Sequence, residues 1–187
     1  MSPLPPHTRT VRRTVTVGGM TKAELLAELQ RHGVQMNEAG RNLFASDLFQ
    51  TSATRRTIET VEFSVLDLGF PQGSTMPQLH EAAAARGLTL CPMELGPHLR
   101  LQYLDQPEDF LGPPHCTHRA PSGSITIAAP HLSEDDDFPK GFYLRRNEGI
   151  LWLRGYWSGL NHIYSPEDRL VFATAPAAGL TRKNRRL

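Results

Sequence analysis

Cysteine is scarce in this chain of 187 residues. Cys91 and Cys116 are its two, too few for a disulfide framework. That points to a reducing compartment. Lysine is scarce as well, three residues against seventeen arginines. Apolar residues make up 39% of the chain and aromatics 7%, enough for a modest core. No apolar run approaches the roughly 18 residues of a membrane span. The N-terminal arginines precede no apolar segment, so no signal peptide is expected. A cytoplasmic protein without a membrane partner is the expectation. No G-x-x-x-x-G-K-[ST] loop is present, which excludes a P-loop motor. No internal repeat is visible. The length suits one domain, or a small one attached to a larger.

What the chain does have is charge at both ends. Arg9, Arg12 and Arg13 place three positive charges in the first 13 residues. Arg182, Lys183, Arg185 and Arg186 place four in the last six. Against a formal net charge of +1, those seven leave the body at −6. Basic ends on an acidic body suit a polyanion, although charged tails also serve solubility alone.

Fifteen prolines and fifteen glycines imply many turns. Residues 1–20 read as a flexible arm with a short β-branched strand at 14–17. Residues 21–56 read as a helix pair. Thr21 and Glu24 form a capping box ahead of Leu25, Leu26 and Leu29, and Gly33 suits the helix end. Asn37 caps a second helix with Ala39, Leu43, Phe44 and Leu48 as its apolar face. If the pair is a helix-turn-helix, Arg41 and Asn42 reach base edges; a pair packed on a sheet is the plainer reading.

Residues 57–175 read as an α+β domain. Ile58, Val61, Phe63, Val65 and Leu66 suggest a strand. Thr75 and Gln78, with Pro77 in the first turn, start a helix that ends at Gly87, its His80 and Glu81 facing water. Pro92, Gly96 and Pro97 then suggest a rigid turn. Leu99, Leu101 and Tyr103 alternate with Arg100 and Gln102 as a half-buried strand ought to. Further strands are expected at 125–127, 142–144, 150–153 and 170–172, the middle two joined as a hairpin through residues 146–149. Residues 176–187 are a basic tail. The fold class is therefore α+β, with a mostly antiparallel sheet, one packed helix and an N-terminal two-helix segment.

The stretch LCPMELGPHLRLQYLDQP, residues 90–107, resembles the core signature of a family of uncharacterised bacterial proteins. LGFPQGSTMPQLHEAAAARGLTLCP, residues 68–92, resembles it too. ELLAELQRHGVQMNEAGRNLF and SPEDRLVF fit more loosely. Such proteins often carry the label helicase, and the resemblance implies no catalytic residues. Residues 112–137 depart from the pattern. The composition and length are also similar in style to Deinococcus DNA damage response proteins.

Several constellations suggest chemistry. His115, Cys116 and His118 are zinc-type ligands, but the paired C-x-x-C spacing is absent, so no metal is expected. Cys91 with His98 invites a thiol nucleophile, against a buried packing cysteine. Asp135, Asp136 and Asp137 suit a hard cation, without the ligand spacing of an EF-hand. Trp152, Tyr156, Trp157 and Tyr164 stand near Arg145, Arg146 and Arg154. Aromatics interleaved with arginines suit a single-stranded nucleic-acid platform, where bases stack and guanidinium groups hold phosphates. With Leu151 and Leu153 facing the core, Trp152 and Arg154 share the outer face. The expected function is a non-enzymatic accessory protein binding single-stranded or duplex DNA in a bacterial DNA-damage or stress response, with no cofactor. The alternatives are a module for a protein partner, using exposed aromatics and the acidic body, and a small metal- or thiol-dependent enzyme.

Overall fold

A computed structural model describes residues 10–108, 123–159 and 161–175. Its elements run β1 (Val11–Val17), α1 (Lys22–Arg31), α2 (Glu38–Ala45), β2 (Arg56–Ser64), β3 (Ser74–Thr75), α3 (Met76–Ala84), β4 (Leu88–Thr89), α4 (Leu95–Gln102), β5 (Ile125–Ile127), β6 (Gly141–Asn147), β7 (Ile150–Tyr156), β8 (Ile163–Tyr164) and β9 (Arg169–Thr174). The fold is α+β. Its main sheet has the order β1-β2-β9-β5-β6-β7, with β4 also on β9. Every pair in it is antiparallel except β5 with β9. β3 and β8 make a small separate ribbon.

Alternation sorts the strands into two faces. On the first face Val15, Val17, Ile127, Phe142, Leu144, Leu153 and Val171 form one core with Leu25 and Leu29 of α1, Leu43 and Phe44 of α2, and Leu95 and Leu99 of α4. On the second face Val61, Phe63, Leu170 and Phe172 pack against Met76, Leu79 and Ala83 of α3. Three helices thus cover one face and a single helix covers part of the other.

The helix starts follow their caps. The Thr21 box is formed, and Gly33 takes φ +67°. The Asn37 side chain accepts from the Gly40 N–H at 3.0 Å. It also exchanges two hydrogen bonds with the backbone of Gly155, at 2.8 and 2.9 Å. Together with Gln35, which pairs with Leu151 and Leu153 through its backbone, it covers the outer edge of β7. Gly40 and Gly155 let α2 approach that strand closely: a Cβ on Gly155 would lie 2.5 Å from the backbone of Ala39 and Gly40. Residues 21–56 therefore share the main core, and residues 11–17 of the expected arm form edge strand β1. The second helix ends at Ala45, so Leu48 lies exposed and Phe49 takes the buried place.

The largest departure is at residues 95–103, expected as turn and strand. They form α4 and its C-cap. Pro97 falls in the first turn, where a missing N–H breaks no helical bond. Gly96 is needed for closeness rather than for a left-handed turn, since a Cβ there would come 2.9 Å from Cβ of Phe142. Arg100, expected on a solvated face, is fully buried. The Gln102 amide caps β1, accepting from the Thr16 N–H at 2.9 Å and donating to its carbonyl at 2.7 Å. His80, expected to face water, turns its ring edge-on to Phe172 with centroids 6.4 Å apart. Among the described residues no helix is long and apolar enough to cross a membrane.

Candidate nucleic-acid interface

The expected hairpin is present and longer than anticipated. Glu148 and Gly149 both take positive φ, 52° and 76°, the backbone of a type I′ turn. That turn fixes the register, so Tyr143 faces Arg154 and Arg145 faces Trp152. Phe142, Leu144, Leu153 and Gly155 point to the first core. Tyr143, Arg145, Trp152 and Arg154 accordingly share the second face, beyond the part that α3 covers.

The centre of this face is Arg154. Its guanidinium carbon lies 5.2 Å from the Trp152 ring centroid and 6.0 Å from that of Tyr143. Such contacts hold a cation over the negative face of an aromatic ring. Among the described residues, Arg154 has no carboxylate partner, and its Nε is buried without a hydrogen bond. Arg145 donates to the Asn147 side chain at 2.9 Å, and its Nε is likewise unpartnered. Burial pushes the Tyr143 hydroxyl up in pKa, while Arg154 and Arg145 pull the other way. One end of the face is closed by hydroxyls: Tyr156 and Tyr164 are hydrogen-bonded, and Ser158 Oγ lies 3.3 Å from the Tyr164 hydroxyl. At the other end, near the turn, Ile150 is exposed.

Three of the candidates thus come together, namely Arg145, Trp152 and Arg154, and Tyr143 joins them although the sequence did not single it out. The rest lie apart. Arg146 alternates onto the first face. Trp157 follows β7, exposed, with its Nε1 donating to the Asp137 carbonyl at 3.3 Å. Arg41 and Asn42 are exposed on α2, which packs on the opposite side of the sheet, and Arg41 donates to the Met36 carbonyl at 2.6 Å. Arg182, Lys183, Arg185 and Arg186 lie outside the described residues, as do His115, Cys116 and His118.

The thiol reading of Cys91 is overturned. Its Sγ donates to the Val171 carbonyl at 3.4 Å, and burial pushes its pKa up to about 12, the reverse of what a nucleophile needs. His98 points elsewhere and accepts the Gly18 N–H at 3.0 Å through Nε2. In the acidic loop, the Asp135 side chain accepts the Asp137 N–H, and its backbone carbonyl takes the Lys140 ammonium at 2.6 Å. Among the described residues no group of three or more His, Cys, Asp or Glu side chains is placed to hold a metal.

The fold and this face define an α+β protein with an arginine–aromatic patch on a sheet. No family model, curated protein or solved structure matches the chain.

Proposed function

We propose that this is a non-enzymatic cytoplasmic protein that binds single-stranded nucleic acid on the second face of the β6–β7 hairpin, in a DNA-damage or stress response. The observation that carries this reading is Arg154 held between Trp152 and Tyr143 beside Arg145, with no carboxylate of the described residues neutralising either guanidinium. A nucleic-acid strand offers what this face lacks: phosphate oxygens for the arginines and flat bases for the rings. Duplex DNA conceals its bases, so a single strand fits a flat aromatic patch better.

The test is fluorescence anisotropy with labelled single-stranded and duplex oligonucleotides. Trp152→Ala should weaken single-strand binding by about 1–3 kcal/mol and leave the salt slope nearly unchanged, because stacking releases no ions. Arg154→Gln should weaken binding and also flatten the slope. Absence of binding at about 50 mM salt, where phosphate contacts are strong, would reject the reading and leave a protein-interaction module in its place.

A further inference from the structure

Arg100 heads the large side chains that are fully buried in this protein. A guanidinium carries a charge and five N–H donors, and burial makes acceptors obligatory. Its Nη1 reaches Oε1 of Gln106 at 2.5 Å, and Nη2 reaches the Tyr103 carbonyl. Among the described residues its Nε has no partner. Both acceptors are neutral. Arg146 comes to the same residue from β6: its Nη1 lies 3.4 Å from the Gln106 carbonyl, a long contact, and its Nε is also buried and unpartnered. Gln106 is itself 1% exposed and is anchored by its amide on the Gly123 carbonyl at 3.1 Å.

Two guanidinium groups therefore reach one residue, Arg100 at its side-chain oxygen and Arg146 at its backbone carbonyl. Burial, and then the like charge of Arg146, lower the Arg100 pKa to about 10, so Arg100 remains cationic at neutral pH. Asp105 favours the charge on Arg100 from a distance but makes no ion pair with it. The contrast with Arg13 and Arg169 is instructive. Those two share the buried carboxylate of Glu62, Arg13 at 2.6 Å. Among the described residues no carboxylate is paired with Arg100 or Arg146 in that way.

We propose that Arg100 and Arg146 form an oxyanion site over Gln106, which takes the group common to phosphate and carboxylate ligands. Arg100 supplies the buried floor, and half-buried Arg146 supplies the side from which the ligand enters. The site is separate from the hairpin patch, because Arg146 points to the opposite face of β6 from Arg145. Planar guanidinium forks match an oxyanion with paired hydrogen bonds, which a lysine ammonium cannot reproduce.

Isothermal titration calorimetry of the full chain, with inorganic phosphate and separately with acetate at constant ionic strength in chloride, tests this. A saturable one-site isotherm is expected for at least one of them, and which one responds identifies the source of the group. Arg146→Gln should weaken that affinity at least tenfold, and Arg146→Lys at least threefold. Trp152→Ala should leave it unchanged. Absence of saturable heat with both anions overturns the site. So does an affinity unchanged in Arg146→Lys, the variant that keeps the charge should Arg146→Gln fail to fold.

Discussion

A single methyl group probes the packing at two glycines. At Gly96 the added carbon would meet a phenylalanine side chain at 2.9 Å, whereas at Gly155 it would meet helix backbone at 2.5 Å. Backbone yields less than a ring, so Gly155→Ala should destabilise more than Gly96→Ala. Overpacking of this kind costs typically about 1–3 kcal/mol, with Gly155 expected at the upper end. Urea midpoints of the two variants check the order. His98 gives a second residue-scale test. Burial lowers its pKa, with Glu94 opposing and Arg55 and Arg56 assisting. The neutral ring is the form that accepts the Gly18 N–H. A folded pKa below the unfolded value of about 6.5 means that the unfolded chain binds more protons. The stabilisation is therefore complete above about pH 6.5 and is lost as pH falls toward the folded value. His80 and His131 are lowered too and act in the same direction. His98→Gln should thus reduce, without abolishing, the fall in urea midpoint between pH 8 and pH 5.

At the scale of elements, the edge strands β1 and β7 of the main sheet each take hydrogen bonds from a side-chain amide. Unpaired strand edges invite association with other chains. Asn37 covers Gly155 of β7, and Gln102 covers Thr16 of β1. Asn37→Ala removes a helix cap and two part-buried bonds together and should cost about 1–3 kcal/mol. Gln102→Ala exposes an edge that water can already reach, so its effect should be small on stability and larger on light scattering at high concentration. The caps themselves were legible in the sequence, because Thr21, Asn37 and Gly33 act on residues within three or four positions. The second use of Asn37 was not legible, since its partner Gly155 lies 118 residues away. Helix α4 was misread for a related reason. Leu99, Leu101 and Tyr103 alternate as a strand would, while Leu95, His98, Leu99 and Gln102 also satisfy the helical period. Over eight residues the two periods compete, and packing against β1 and α1 decides.

The whole molecule separates its charges. The hairpin patch was partly legible because alternation alone places Trp152 beside Arg154 once the leucines face inward. Tyr143 was missed because its place depends on cross-strand register. The meeting of Arg100 and Arg146 at Gln106 was missed because Arg146 reaches that residue only in three dimensions. Arg12 and Arg13 belong to β1. The ends therefore carry five positive charges, Arg9, Arg182, Lys183, Arg185 and Arg186. Against a net charge of +1 the body is left at −4, which repels a polyanion at long range. The hairpin patch must act within that unfavourable field, so the ends should supply much of the attraction. Each phosphate they neutralise releases condensed counterion, at about 0.7 in log–log slope per contact for single strands. Deleting residues 182–187 should therefore weaken binding to all oligonucleotide sequences alike and flatten the salt dependence. Trp152→Ala should instead lower affinity at every salt concentration by a similar factor. Combining the two changes should give nearly additive losses in free energy if tail and patch act independently. Anisotropy titrations at several salt concentrations measure both slopes. An unchanged slope after the deletion would place the ionic contacts on the patch arginines alone.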